Sequence, residues 1–225
     1  MGTVELLKAA GVGLGDEVVV PAYGNIEVAE AAVLAGGLPV FADIDPVTYC
    51  LEPRAVDAVL TPRTAAVVVV HRFGQLADMD GLGELARRRG LLLLEKTEER
   101  GAYGDVAGRR GNAAYLHARL RGVQTPVEAR EHTYQQFVVR VPGNGRPDRD
   151  AFARAVRARG VDCRVPVKTP VHRMSAFRRD IVLCETERAA DETLALPVTS
   201  GMTRRELHRV VSACNALGGL LQPAF

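Results

Sequence analysis

Lysine is scarce in this chain, which limits the amines that could attack a carbonyl group. The three lysines are Lys8, Lys96 and Lys168. A lysine amine must be neutral to form a Schiff base, and burial favours the neutral form. Lys96 follows an apolar run, but carboxylates at Glu95, Glu98 and Glu99 favour the charged amine. The sequence therefore predicts an ion pair at Lys96 in preference to a nucleophile.

Histidines and carboxylates supply a second set of candidate groups. His71, His117 and His172 could meet Glu95 and Glu99 in an acid–base or metal site. Their spacing contains no metal-binding motif. The cysteines are far apart and form no CxxC pair; they are Cys50, Cys163, Cys184 and Cys214. We therefore predict no metal site and no disulfide framework.

Apolar strands that alternate with helices must position these groups. Residues 15–45 have the pattern strand, helix, strand, which predicts a βαβ unit. Further buried strands are predicted at 65–70 and 91–94, and helices at 51–60 and 82–89. Parallel strands place ligands beyond their carboxyl ends. We therefore expect His71, Gln75 and Glu95, which follow these strands, to lie near a binding cleft.

The second half of the chain predicts a smaller α+β domain. Its predicted elements are a strand at 133–141, a helix at 148–159, a strand at 161–167 and a helix at 203–217. Asp148 is the expected N-cap of the first of these helices, and Thr203 with Glu206 has the spacing of a capping box. We predict two domains, at residues 1–122 and 123–225.

Composition bounds the kind of partner. The chain has 225 residues, 47% of them hydrophobic and 25% charged, with a net charge of +2. This balance favours neither a nucleic-acid nor a membrane partner. No apolar run is long enough to cross a bilayer, and no signal peptide is recognisable. We therefore predict a cytoplasmic protein.

Several separate motifs resemble one enzyme family in the right order. GDEVVVPAY, LAGGLPVFADID and LTPRTAAVVVVHRFGQLADMDGL are similar to motifs of the DegT/DnrJ/EryC1/StrS family of sugar aminotransferases. The resemblance implies an α/β fold of the type I class that uses pyridoxal phosphate (PLP). We expect a shortened, mainly parallel sheet with flanking helices. The string Pro170-Val171-His172 resembles the family's PxPxH string, which lies near the cofactor and the partner subunit. Residues 194–200 resemble the family's SLPMHP turn without its histidine, which predicts a turn there.

The same resemblance identifies what this copy lacks. Lys96 occupies the position of the family's aspartate, which pairs with the pyridine nitrogen of PLP. Asn25 stands where an aromatic residue stacks on the cofactor ring, and Tyr23 is only its neighbour. The family's lysine that captures PLP has no counterpart after residues 111–121, where the serine position of its motif falls on or near His117. A long central section of the family is missing from this chain.

We therefore predict a degenerate relative of nucleotide-sugar aminotransferases without transaminase activity and without bound PLP. It would bind a sugar-type metabolite or a biosynthetic partner, and a homodimer is expected. The predicted cleft residues are Tyr23, Asn25, His71, Gln75, Glu95 and His172. One alternative is a PLP-independent enzyme that uses Lys96, Glu99 and His117. Others are a residual aminotransferase of sugar or antibiotic biosynthesis, or an internally deleted chain with no function.

Overall fold

The computed structural model describes residues 2–97, 104–141 and 149–218. The described residues form two compact units that alternate along the chain. Unit 1 contains residues 2–72, 76–97 and 169–187, and unit 2 contains residues 73–75, 104–141, 149–168 and 188–218. No helix among the described residues combines the length and apolar character needed to cross a membrane.

Eight α-helices, two short 3-10 helices (Val171–Arg173 and Ser175–Phe177) and six strands are defined among these residues. The helices are α1 Thr3–Ala9, α2 Ile26–Leu34, α3 Pro53–Val59, α4 Met79–Arg89, α5 Val106–Arg119, α6 Arg149–Ala158, α7 Cys184–Glu192 and α8 Arg204–Gly218. The strands are β1 Glu17–Pro21, β2 Leu38–Ala42, β3 Thr64–His71, β4 Leu92–Thr97, β5 Phe137–Arg140 and β6 Thr193–Leu196.

Unit 1 is built on a four-stranded parallel sheet with the order β2-β1-β3-β4. Successive side chains of a strand point to opposite faces, and both faces of this sheet are apolar. Val18 and Val20 pack on the face that α1 and α2 cover, whereas Val19 packs on the face of α3 and α4. The predicted α/β class and the βαβ unit of residues 15–45 are confirmed.

Helix α4 shows how local sequence sets the boundaries of an element. Asp78 accepts a hydrogen bond from the Gly81 amide at 2.9 Å, which caps the first turn. Gly90 ends the helix with φ +67, a left-handed conformation that glycine adopts without steric cost. The strand that follows, β4, continues to Thr97, three residues beyond the predicted end.

The first turn of helix α7 is capped by an aspartate that lies far from it in the sequence. Asp43 follows β2 and accepts from the amides of Glu185 and Thr186, at 3.0 and 2.8 Å. It also accepts from the Thr186 hydroxyl at 2.7 Å. These bonds satisfy amides of the first turn, which have no partner within the helix. Residues 169–187 therefore belong to unit 1 although they lie far along the chain from its sheet.

Unit 2 combines helices α5, α6 and α8 with the antiparallel pair β5–β6. Its core includes the fully buried Phe137 together with Leu116, Val156 and Leu207. The predicted capping box of α8 is confirmed, because Thr203 donates from its amide to Glu206 at 2.7 Å and Glu206 donates back to the Thr203 hydroxyl at 3.3 Å. Asp148, the expected cap of α6, lies outside the described residues.

Three predicted elements of unit 2 were wrong. Residues 161–167 are not a strand, since only Arg164 pairs with β6 and Pro166 lacks an amide proton. The strand predicted from 133 begins only at Phe137, because Tyr134 has φ +46, which no extended strand accommodates. The turn predicted at 194–200 is strand β6 as far as Leu196. Helix α5, at residues 106–119, contains most of the segment 111–121 that resembles the family's lysine-bearing motif.

Candidate functional site

The carboxyl ends of β1 and β3 mark the switch point of the sheet in unit 1. A parallel sheet of order β2-β1-β3-β4 opens a crevice between β1 and β3, because their connections leave on opposite faces. Tyr23 and Gly24 follow β1, and Arg72 follows β3. The chain therefore places these three residues where α/β proteins usually bind ligands.

The switch point is filled by protein side chains. Tyr23 is fully buried and stacks on Tyr49, with 5.7 Å between the ring centroids. The guanidinium carbon of Arg72 lies 5.2 Å from the centroid of the Tyr23 ring. Arg72 is itself buried, and this burial lowers its pKa to about 10. The Tyr23 ring is thus packed against a second tyrosine ring and a buried guanidinium group of unit 1.

His71 and Glu95 form the clearest pair among the predicted cleft residues. The Ala77 amide donates to Nδ1 of His71 at 3.1 Å, so Nε2 carries the ring proton. Nε2 then donates to Oε1 of Glu95 at 2.8 Å. The His71 side chain is buried, whereas that of Glu95 is 56% exposed. The carboxylate is therefore oriented by a buried donor and open to solvent on its other side.

Lys96 lies on the other face of β4. Its Nζ donates to Oε2 of Glu27 in α2 at 2.7 Å. This hydrogen bond holds the pKa of Glu27 below its ordinary value. Lys96 therefore forms an ion pair, but with Glu27 and not with the predicted Glu95, because consecutive residues of a strand point in opposite directions. The other predicted partners, Glu98 and Glu99, lie outside the described residues. Glu95 and Lys96 consequently lie in different surroundings, Glu95 with His71 and Lys96 with Glu27.

The remaining cleft candidates occupy separate positions. Asn25 precedes α2, and its side chain makes no capping hydrogen bond to that helix. His172 is fully buried in unit 1, where Nε2 lies 3.1 Å from Oε1 of Glu187. Gln75 is buried in unit 2. Of the six predicted cleft residues, the structure brings His71 and Glu95 into a direct hydrogen bond.

The three predicted catalytic residues are distributed as follows. Lys96 belongs to unit 1 and His117 to unit 2, and Glu99 lies outside the described residues. His117 Nε2 lies 3.2 Å from the Tyr134 hydroxyl, and its Nδ1 is 3.8 Å from Glu128. Burial lowers the pKa of His117, and Glu128 opposes that shift. Their joint role stays a prediction.

Sequence reasoning missed the aromatic group around His117. His132 stacks on Tyr134 with ring centroids 3.8 Å apart, and its Nδ1 accepts from the Tyr134 amide at 3.0 Å. Burial lowers the pKa of His132 to about 4. The sequence pattern predicts a strand that starts at Thr133, and nothing in that pattern indicates a contact between His132 and Tyr134. Arg72 was missed for a similar reason, since it was treated only as part of a loop motif.

The structure also contains cavities in each unit. A cavity of about 460 Å³ in unit 1 is lined by residues 45–54 and Asp78, and includes none of the predicted cleft residues. A cavity of about 390 Å³ in unit 2 is lined in part by His117, Glu128 and Tyr134. No cluster of three or more metal-binding side chains is found within residues 2–97, 104–141 and 149–218.

Comparison with known proteins gives partial and full-length matches. The chain is 44% identical over 119 residues to the L-glutamine:scyllo-inosose aminotransferase of Streptomyces griseus, which covers 52% of this chain and 27% of that enzyme. It is 25% identical over 299 residues to the pleiotropic regulatory protein of Geobacillus stearothermophilus, covering 91% of this chain and 79% of that protein. Because 299 exceeds the length of this chain, that relative has aligned positions with no counterpart here. The chain thus spans about a quarter of the Streptomyces relative and lacks an internal section of the other.

The fold comparison agrees with the sequence comparison. The structure superposes on the aminotransferase TlmJ from Streptoalloteichus hindustanus with a TM-score of 0.85 and 25% identity, covering 98% of this chain and 84% of that one. The sequence profile of the DegT/DnrJ/EryC1/StrS aminotransferase family matches residues 2–99 and 102–215. Because this match extends over nearly the whole chain, the protein belongs to the DegT/DnrJ/EryC1/StrS aminotransferase family.

Proposed function

We propose that this family member binds a sugar-type metabolite in the cytoplasm and does not carry out PLP-dependent amino transfer. The ligand class is a polyhydroxylated ketone, because the matched Streptomyces griseus relative is named for scyllo-inosose. The binding group is the carboxylate of Glu95, positioned by His71. This proposal combines a retained cleft with the loss of the cofactor machinery.

The ion pair between Lys96 and Glu27 is the main observation in support of the proposed loss of PLP chemistry. Where the family has an aspartate for the pyridine nitrogen, this chain has an amine that donates to Glu27 at 2.7 Å. An ammonium group repels a protonated pyridine ring. An amine held as a donor to a carboxylate also has no free electron pair for a carbonyl carbon. The residues at this position therefore do not fit PLP in either role.

The other two positions support the same proposal. Asn25, in place of an aromatic residue, offers no ring to stack on a cofactor. The neighbouring Tyr23 is fully buried against Tyr49 and Arg72, so its ring is not available for that purpose. Two substitutions that oppose PLP binding, at Asn25 and Lys96, thus occur in unit 1.

Glu95 supports the binding part of the proposal. Carboxylates bind sugar hydroxyl groups as strong hydrogen-bond acceptors. The proton of His71 Nε2 orients one oxygen, and more than half of the Glu95 side chain is open to solvent. A ligand hydroxyl at the carboxyl end of β4 would meet a pre-oriented acceptor.

A second copy of this chain, or a biosynthetic partner protein, is proposed to cover an edge of the sheet. Among the described residues, β2 and β4 each pair on one side only. Side chains of β4 are half-buried or exposed along its whole length. Open strand edges favour pairing with another chain. Sedimentation equilibrium of the purified protein would test this, and we expect a homodimer. A monomer would exclude the second copy and leave a biosynthetic partner protein as the proposed occupant.

Reaction with PLP tests the first part of the proposal. The protein would be incubated with PLP, reduced with borohydride and mapped by peptide mass spectrometry. We expect no saturable, stoichiometric adduct at any lysine. A stoichiometric adduct at Lys96 that disappears in Lys96→Met but persists in the matched control Lys168→Met would refute the proposal and favour a residual aminotransferase.

Calorimetric titration with scyllo-inosose tests the second part. We expect saturable binding that weakens about tenfold in Glu95→Gln, as for loss of a charge-assisted hydrogen bond. The matched control is Glu84→Gln, an exposed glutamate of α4. Equal affinities in all three proteins would exclude Glu95 as the binding group. Turnover of the ligand without PLP, lost in Lys96→Met or His117→Asn, would instead favour the PLP-independent enzyme.

A further inference from the structure

A cavity in unit 2 is lined almost entirely by positive charge. Its volume is about 480 Å³, and its lining residues are Arg149, Asp150, Arg154, Arg157, Arg164, Val165 and Lys168. Five of these are cationic, and Asp150 is the single carboxylate among the lining residues that the structure describes. The chain as a whole carries a net charge of only +2, so this concentration of charge is local.

Helix α6 and the segment that follows it build this basic cavity. Asp150, Arg154 and Arg157 recur at helical spacing, which places them on one face of α6. Arg157 Nε donates to the carbonyl oxygen of Cys163 at 2.8 Å and so fastens the helix to the next segment. The backbone of Arg164 exchanges hydrogen bonds with Ala195 of β6, at 3.1 and 2.8 Å. The positions of these cations are therefore set by ordered backbone on both sides.

Arg149 forms the buried base of the cavity. Its Nη1 donates to the carbonyl oxygens of Ala190 and Thr193, at 2.8 and 2.9 Å, and its Nε donates to Asp150 at 2.7 Å. Asp150 is thus committed to one of the five cations. The carbonyl groups supply no negative charge, so four cationic groups remain without a carboxylate among the lining residues.

The mouth of the cavity carries donors that are free to bind. Arg154, Arg164 and Lys168 are exposed, and their side chains make no hydrogen bond or ion pair with any residue in the described ranges. Like charges held together repel each other unless an anion intervenes. Guanidinium groups bind phosphate oxygens in pairs of parallel hydrogen bonds. An anion with several oxygens would satisfy these groups together.

We propose that the basic cavity is a binding site for a small molecule that carries a phosphate or pyrophosphate group. Its volume lies in the range of about 300–1,000 Å³ that is typical of small-molecule sites, which leaves room for more than one inorganic ion. The site lies wholly within unit 2 and uses none of the residues of the proposed metabolite cleft. The outcome of a test of this site is therefore independent of the proposed function.

Calorimetric titration of the full chain with inorganic pyrophosphate tests this site. We expect saturable binding at one site per chain, and weaker binding of inorganic phosphate. The double variant Arg154→Ala/Lys168→Ala removes two exposed donors and should weaken pyrophosphate binding about tenfold or more. The matched control Arg88→Ala/Arg178→Ala removes two exposed arginines from unit 1 and should leave the affinity within about twofold of the wild type.

Three outcomes would overturn the proposal. The first is the absence of saturable pyrophosphate binding to the wild-type chain. The second is equal weakening in the two double variants, which would indicate general charge attraction. The third is that a single-stranded oligonucleotide binds more tightly per phosphate group than pyrophosphate does, and that both double variants weaken this binding equally. That result would assign the surface to a polyanion. Circular dichroism of each variant verifies that the comparison is made between folded proteins.

Discussion

Arg72 lies over the ring of Tyr23, with 5.2 Å between its guanidinium carbon and the ring centroid, at the switch point between β1 and β3. Relatives of this fold use the carboxyl ends of these strands to hold ligands. Here a buried cation and two tyrosine rings pack there instead. The candidate binding group, Glu95, belongs to the neighbouring strand β4 and bonds to His71, the last residue of β3.

Gly24→Ala tests the packing of Arg72 directly. A Cβ atom at Gly24 would lie 2.5 Å from Nη1 of Arg72, which is buried and has little room to move. The matched control is Gly15→Ala, because Gly15 has nearly the same φ, +94 against +95, and no atom within 4 Å of its Cβ position. Both variants incur the positive-φ penalty of about 1–2 kcal/mol. We expect Gly24→Ala to lose a further ~1–3 kcal/mol in denaturant unfolding, as in overpacked cores; equal losses would contradict this interpretation.

Asp43→Ala should weaken the attachment of α7 to unit 1. The substitution removes the acceptor for the amides of Glu185 and Thr186 and for the Thr186 hydroxyl. Loss of such a cap costs about 0.5–2 kcal/mol, and a buried unsatisfied donor adds to that cost. Hydrogen exchange followed by mass spectrometry should show faster exchange at residues 184–187. The exposed Asp80→Ala variant is the control, and unchanged exchange in Asp43→Ala would contradict the capping role.

His132 should make stability fall as the solution becomes mildly acidic. Burial lowers its pKa in the folded protein to about 4, against about 6.5 in the unfolded chain. Between these values the unfolded state binds a proton that the folded state does not, so stability decreases as pH falls from 6.5 towards 4. The difference corresponds to roughly 3 kcal/mol at most.

Urea unfolding at pH 7 and at pH 5 would measure this dependence. His132→Asn keeps a hydrogen-bond acceptor for the Tyr134 amide but does not titrate, so its stability loss between the two pH values should be smaller than that of the wild type. His208→Asn is the control, because His208 is exposed on α8. An identical pH dependence in the wild type and His132→Asn would show that His132 does not contribute.

Cys184 should be the cysteine that reacts in the folded protein. Burial raises the pKa of Cys50 to about 11 and that of Cys214 to about 12, and it also raises the pKa of Cys163. Only the thiolate reacts with an alkylating reagent, so these three react slowly. Cys184 is exposed. Iodoacetamide at pH 8 should label one site by mass spectrometry, and Cys184→Ser should label only after denaturation.

Local signals in the sequence were sufficient for most of unit 1. The valine runs at β1 and β3 are buried along their length, and short β-branched runs of this kind are typical of buried parallel strands. Gly90 and the Thr203–Glu206 pair determined helix boundaries, because caps depend on neighbouring residues alone. The HxxGQ string directly follows the apolar run at 65–70, so His71 could be placed at the end of a strand.

Pairings over long separations could not be predicted in this way. Asp43 and Thr186 are separated by 143 positions, and no local pattern indicates their hydrogen bond. Resemblance to a family motif predicts a turn at residues 194–200, whereas pairing with β5 makes the start of this segment part of strand β6. Strand pairing depends on a partner that is distant in the sequence, so the local pattern does not indicate it.

By itself the sequence determined the family and the α/β class. These follow from residue types and their order along the chain. That no lysine stands where the family captures PLP stays a prediction. Only the tertiary structure decided that Lys96 faces Glu27 while Glu95 faces His71, and that five cations line one cavity of unit 2. The physical reason is that a side chain's partners depend on which face of its element it occupies and on what the fold places opposite that face.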